Sequence, residues 1–350
     1  MIQLLDENGK CKADDVADIS EQEMQKMYRT MITTRLWNDK ALSLQRQGRL
    51  GTLASVRGQE ASNVGMGLAL QPGDWFVPAF REYGTLFTLG LSMKDQFMYW
   101  GGDERGNARI PEDKRVLPTC ITVGAHLCHA VGMAVAAKIR GEKSMILSSS
   151  GDGSTSQGDF HESLNLAGVW KAPVVFVVQN NHWAISVPFE KQTATKTIAE
   201  KAAAYAMDGL RVDGNDVFAV YKTVKQRAEM ARNDFKPALI ELVTYRMGDH
   251  TTADDATRYR KPDMLNEWEK KDPIERLKKY LKNEHGWTDA KDKKLIEECT
   301  NDVEKAVKEY ENNDMPEPES MFNYMYNDMP WHLKEQLEEV KELTHSGGMK

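Results

Sequence analysis

Two oxygen-bearing side chains, Asp152 and Asn181, stand 29 residues apart, each just past a short apolar run. Asp152 lies within Gly151-Asp152-Gly153 after the run Ser144–Ser150, and Asn181 ends Asn180-Asn181 after the run Pro173–Val178. A carboxylate, an amide oxygen and a nearby main-chain carbonyl form a hard donor set, suited to magnesium holding a diphosphate. Glycines at 151 and 153 let the backbone come close to phosphate oxygens, and a helix starting beyond them offers its N-terminal N–H groups. One Gly-Asp-Gly is an ordinary strand-to-helix turn. A second apolar strand ending in Asn-Asn makes the pair informative. No Gly-x-Gly-x-x-Gly loop is present, so a nicotinamide site of the Rossmann type is not supported. His126, Cys128 and His129 cluster in sequence on a small-residue helix and read as structural, not metal-binding.

For Asp152 and Asn181 to meet, their strands must be parallel neighbours, because open sheets of this kind bind ligands outside the carboxyl ends of strands. Continuous apolar runs alternating with helices support that arrangement. A third run, Ala238–Val243, follows the first two. Helices are expected over His126–Arg140, closed by Gly141, and along the face Phe160, Leu164 and Ala167. Ser20 to Glu23 reads as a capping box opening a helix with Met24, Met27 and Met31 on one side, after a polar arm over residues 1–18. The expected fold is α/β: a doubly wound, mostly parallel sheet with helices on both faces, an N-terminal helix and charged C-terminal helices. The chain divides on this reading into 1–47, 48–260 and 261–350. In 261–314, 27 of 54 residues are charged, yet Ile296, Cys299, Val303, Val307 and Tyr310 keep a helical stripe. The polar stretch 246–260 shows no apolar anchor and is expected to be mobile until an anion orders it. Residues 345–350 are expected to fray.

Composition narrows the classes. The chain has 350 residues, 41% hydrophobic and 28% charged, with a net charge of −7. No global positive field draws it to nucleic acid or to an anionic membrane surface. No apolar run is long enough for a membrane span. The first residues, acidic and polar, resemble neither a signal nor a transit peptide. Four cysteines without metal-type spacing suit a reducing compartment, so a cytoplasmic globular protein is expected.

The stretch Gly151–Asn181 resembles the thiamine diphosphate motif, which runs from Gly-Asp-Gly to Asn-Asn across about thirty residues. Arg57–Ala61 (RGQEA), Phe80–Gly84 (FREYG), Val123–His126 (VGAH), Asn180–Ser186 (NNHWAIS) and Asp249–Arg260 (DHTTADDATRYR) extend the likeness. Over roughly residues 20–310 the chain is similar to the alpha subunit of the first component of 2-oxo acid dehydrogenase complexes. The resemblance implies magnesium held by Asp152, Asn181 and the main-chain carbonyl of Trp183. It implies diphosphate contacts from Gly153, Ser154 and Arg81, and an aminopyrimidine cradle at Ile121–Val123, with Val123 bending the cofactor. Relatives often carry tyrosine at the position of Phe80, which has no hydroxyl to offer. His250 matches the active-site histidine of the family. Relatives also carry a histidine on the stretch before Ile121, whereas Gly101–Asn107 has none.

The implied activity is decarboxylation of a 2-oxo acid and transfer of the acyl group to a lipoyl arm on the second component. The wording of the motifs is most similar to bacterial pyruvate dehydrogenase alpha chains. Branched-chain and acetoin-cleaving relatives share nearly all of them. After the diphosphate domain is counted, the chain leaves no room for a separate pyrimidine domain. The glutamate facing the pyrimidine is therefore expected from a beta subunit, in an assembly of two alpha and two beta chains. A magnesium-nucleotide binding module and a purely structural subunit are the readings from other classes.

Overall fold

The computed structural model describes residues 1–108, 110–111 and 113–345. It divides into two compact units, Met1–Val307 and Lys308–Lys350. In chain order the elements are α1 (Glu21–Arg46), α2 (Glu60–Leu68), β1 (Trp75–Val77), α3 (Tyr83–Thr88), α4 (Met93–Trp100), α5 (Arg105–Ala108) and α6 (Ala125–Ile139). Then come β2 (Ile146–Gly151), α7 (Gly158–Trp170), β3 (Val174–Asn180), β4 (Trp183–Ala184), β5 (Val187–Pro188), β6 (Asp208–Asp213), α8 (Val217–Asp234) and β7 (Ala238–Val243). Helices α9 (Pro262–Glu269), α10 (Pro273–Glu284), α11 (Asp289–Glu311) and α12 (Trp331–His345) complete the chain. The expectation of fraying at 346–350 lies outside the described residues.

Five strands form one parallel sheet in the order β1-β2-β3-β7-β6. Every residue of β3 and β7 is buried, so both faces of the sheet centre are covered. Alternation along β3 divides the core. Val174, Phe176 and Val178 pack on one face with Val131, Ala134, Phe160 and Leu164 of α6 and α7. Val175 and Val177 pack on the other with Met27 and Met31 of α1, Val64 of α2 and Val220 and Val224 of α8. This is the expected doubly wound α/β architecture.

Local signals account for much of it. Ser20 Oγ accepts from the Glu23 N–H (3.3 Å) while the Ser20 N–H donates to Glu23 Oε2 (2.8 Å), the reciprocal box that starts α1. The polar arm is pinned along the sheet edge: Ile2 N donates to Arg211 O (2.8 Å), Asp213 N donates to Ile2 O (2.9 Å), and Leu5 is buried. That cover protects the edge strand β6. In α11 the stripe differs by one position. Leu295 is buried beside Cys299, Val303 and Val307, whereas Ile296 is 38% exposed. The second unit has a small core of Phe322, Leu333 and Leu337. No helix among the described residues is long and apolar enough to cross a membrane.

Candidate active site

Strands β2 and β3 run in register to their ends, Gly151 opposite Gln179, so the residues just beyond them meet. The Asn181 N–H donates to Asp152 Oδ1 (3.4 Å), and Gln192 Nε2 donates to Asp152 Oδ2 (2.7 Å). Both Asp152 and Asn181 are buried. Burial pushes the Asp152 carboxyl upward, and no basic side chain among the described residues forms a salt bridge with it. The Asn181 amide has a defined orientation: Oδ1 accepts from the Trp183 N–H (3.2 Å), and Nδ2 donates to Gln59 Oε1 (3.3 Å). Beyond it the chain turns sharply through His182 and Ile185, both at positive φ (70° and 55°). A Cβ on Gly153 would stand 3.0 Å from that of Ala184, so the glycine lets the β4 hairpin close over the strand end. The next helix does not begin at once. A 3-10 turn over Asp152–Ser156 intervenes before α7, and Ser154 Oγ donates back to Gly151 O (2.7 Å).

A cationic group faces this pair. Arg81 Nη2 lies 3.3 Å and Arg246 Nη1 3.2 Å from His250 Nδ1. A nitrogen approached by two guanidinium donors must be the acceptor, which leaves the ring proton on Nε2. Burial, then Arg81 and Arg246, push the His250 pKa down to about 4, so the ring is neutral near pH 7. Arg246 also donates to Ile185 O (2.8 Å) and Tyr259 Oη (2.6 Å), and the His250 N–H donates to Asp254 Oδ2 (2.7 Å). Phe80, without a hydroxyl, sets its ring edge-on to His250 with centroids 6.4 Å apart. The stretch 246–260 is better anchored than its composition suggests: Met247 and Ala256 are buried, and the Arg260 guanidinium donates to the carbonyls of Arg246, Met247 and Gly248.

Phe80, Arg81, Val123, Asp152, Gly153, Ser154, Asn181, Trp183 and His250 line one cavity of about 260 Å³. Ile121 is 51% exposed and does not line it. Among the described residues no three His, Cys, Asp or Glu side chains gather as a metal cluster. A cation here would rest on one carboxylate and neutral oxygens, a set that magnesium completes with phosphate oxygens and water.

The dehydrogenase E1 component family model matches residues 28–319. This chain belongs to that family. It is similar to pyruvate dehydrogenase E1 component subunit alpha of Staphylococcus aureus, 42% identical over 98% of this chain and 93% of the relative. The protein of the same name from Bacillus cereus is 40% identical over 97% and 92%, and that from Staphylococcus epidermidis 40% over 98% and 93%. The E1 chain is thus an enzyme component of the 2-oxo acid dehydrogenase type.

Several groups around the E1 cavity escape a reading of the sequence alone. Glu82 lines it with a buried carboxylate that accepts from the Arg81 N–H (2.8 Å), Ser149 Oγ (2.9 Å) and Gln179 Nε2 (3.1 Å). Burial pushes its carboxyl upward. Gln59 and Gln179 also line it, while Gln192 and Arg246 act from behind it through Asp152 and His250. Glu82 and Gln59 lie inside quoted motifs, so their positions carried a signal; Gln192 carried none.

Proposed function

We propose that this chain is the alpha subunit of a pyruvate dehydrogenase E1 component, binding thiamine diphosphate through magnesium in the cavity beyond β2 and β3. One observation carries the reading. Asp152 and Arg81, buried ions of opposite sign, share a cavity, and neither forms a salt bridge among the described residues. A buried charge needs a partner. A magnesium diphosphate supplies both, a cation for Asp152 and an anion for Arg81.

Thiamine diphosphate, when bound, supplies the electron sink for loss of carbon dioxide from the 2-oxo acid. The residues of the chain do the holding. Asp152, Asn181 and the main-chain carbonyl of Trp183 take the metal; Arg81, Gly153 and Ser154 take diphosphate oxygens, with Phe80 packed beside them. Val123 on the cavity wall and the main chain at Ile121 receive the aminopyrimidine. Neutral His250, with its proton on Nε2, offers a donor to orient the acyl acceptor or to pass a proton.

A beta subunit completes the site, in an assembly of two alpha and two beta chains served by a lipoyl-bearing second component. The acidic side chains lining the cavity are Asp152 and Glu82, and Glu82 is engaged by three donors. The carboxylate for the pyrimidine must then come from another chain. Ile139 on α6 and Val169 and Trp170 on α7 are 77%, 69% and 51% exposed, apolar cover that a partner would bury. Four free cysteines favour a cytoplasmic setting. Pyruvate rests on the names of the relatives.

The metal pair provides the test. Asp152→Asn keeps the shape but removes the one anionic donor, whereas Asn181→Ala removes a dipole that water can replace. In reconstituted alpha–beta pairs, Asp152→Asn is expected to weaken magnesium-dependent thiamine diphosphate binding by about hundredfold or more, and Asn181→Ala by about tenfold. Calorimetric titration measures both, with size exclusion as the assembly control. Wild-type affinity in Asp152→Asn would remove the metal assignment.

A further inference from the structure

Gln59 stands at the boundary before α2, 1% exposed, on the wall of the same cavity. Its backbone is tied down: its N–H donates to Val56 O (2.9 Å), and its carbonyl accepts from the Asn63 N–H (3.1 Å) and Asn63 Nδ2 (3.1 Å). Its side chain is also turned one way. Because the Trp183 N–H occupies Asn181 Oδ1, the end of Asn181 that meets Gln59 is the donor Nδ2. Gln59 must answer with Oε1, which leaves its Nε2 free to point elsewhere. That nitrogen is buried and has no acceptor among the described residues.

A buried amide donor left unpaired is costly, and such exceptions in native proteins call for an explanation. The cavity offers one. On the reading of this cavity as the diphosphate site, its neighbours Asp152, Asn181, Arg81 and His250 surround a bound group rich in anionic oxygens. We propose that Gln59 is a further cofactor-contacting residue of this E1 chain, its Nε2 donating to an oxygen of the magnesium-bound diphosphate while its Oε1 holds the Asn181 amide in orientation. One carboxamide thus links the metal-side ligand to the anion. Its rigid mount supports this: the Gly58 N–H donates to Glu60 Oε2 (3.0 Å), and Glu60 pairs with Arg35 of α1 (2.8 Å).

Two variants separate the donor from the orienting role. Gln59→Glu keeps an acceptor for Asn181 Nδ2, loses the donor and adds a negative charge; Gln59→Met matches the volume and loses donor and acceptor without adding charge. Reconstituted alpha–beta pairs are titrated by calorimetry with thiamine diphosphate plus magnesium and with inorganic pyrophosphate plus magnesium. Size exclusion and the thermal midpoint serve as controls on folding. Both variants are expected to bind both ligands about tenfold to hundredfold more weakly than wild type, the range for a hydrogen bond to a charged group. Near wild-type affinity in Gln59→Glu, with loss confined to Gln59→Met, would mean that Gln59 only orients Asn181 and would overturn the proposal. So would a loss for thiamine diphosphate without one for pyrophosphate. If Gln59→Met does not assemble, Gln59→Leu takes its place, because the charge added in Gln59→Glu weakens anion binding by itself. A wild-type pair that binds neither ligand overturns the cofactor reading and this proposal together. Weak binding by Asp152→Asn beside normal binding by both Gln59 variants overturns the Gln59 role alone.

Discussion

His250 shows how neighbours decide a side chain's chemistry. Arg81 and Arg246 both turn a guanidinium to its Nδ1, so a proton there would add a third positive charge to a buried cluster. Its pKa is pushed from the ordinary 6.5 to about 4. Between pH 4 and 6.5 the unfolded chain holds a proton at this position that the folded chain does not, so stability rises with pH across that window. Below about pH 4 both states are protonated and the slope ends. We expect the cofactor-free chain to show a His250 imidazole that is neutral at pH 6, protonated at Nε2, and titrates near 4 by nitrogen-15 NMR. His250→Gln should flatten the rise of the unfolding midpoint between pH 4.5 and 6.5 relative to wild type. A free-solution titration at 6.5 would contradict the clasp.

At the scale of elements, the turn before α2 joins core to cavity. Gly58 sits at φ +92°, in the left-handed region, and its carbonyl accepts from Thr244 Oγ1 (2.7 Å) just beyond β7. A Cβ there would press on the Tyr245 carbonyl oxygen and the Met247 side chain. Tyr245 in turn stacks on Trp268 of α9 with centroids 5.4 Å apart. Gly58→Ala should therefore cost at least about 2 kcal/mol, backbone strain plus overpacking, and displace Gln59 with it. Calorimetry of the full chain would register a lower unfolding temperature. An unchanged midpoint would show that the turn relaxes freely.

For the whole molecule, the decisive question is what this chain does by itself. A cavity holding two carboxylates, one engaged by three donors and one facing the proposed metal, has no spare acid for the pyrimidine side of the cofactor. The isolated chain is expected to lack measurable 2-oxo acid decarboxylation, and addition of a beta subunit to restore it. Comparing rates on pyruvate and 3-methyl-2-oxobutanoate in the same reconstituted pair separates the substrate classes. One methylene in an apolar pocket is worth roughly 1–3 kcal/mol, so a preference of tenfold or more for pyruvate is expected. Robust turnover by the chain alone would remove the need for a partner, and preference for the branched substrate would reassign the activity.

The elements that were legible in sequence are those whose signal is local. The apolar run behind β3 is continuous and that behind β7 is broken only by Glu241, because both faces of those strands are buried, and the capping box of α1 is complete within four residues. Strand β6, reading Asp-Gly-Leu-Arg-Val-Asp, carries no such run, since an edge strand needs only partial burial, and the three residues of β1 are too few for a pattern. In α11 the sequence pattern points to Ile296 where the structure buries Leu295, because adjacent residues differ by about 100° and only the packed neighbour decides which faces inward. The chemistry divides the same way. Asp152 and Asn181 were legible as a pair because each follows its own strand, but their approach depends on those strands being neighbours in the sheet. The pairing of Gln59 with Asn181, the Arg81 arm of the clasp on His250 and the Ser149 contact of Glu82 join residues 67 to 169 apart in sequence. Spacing along a chain encodes periodicity and caps; which polar atom is left without a partner is decided only when the chain has closed around it.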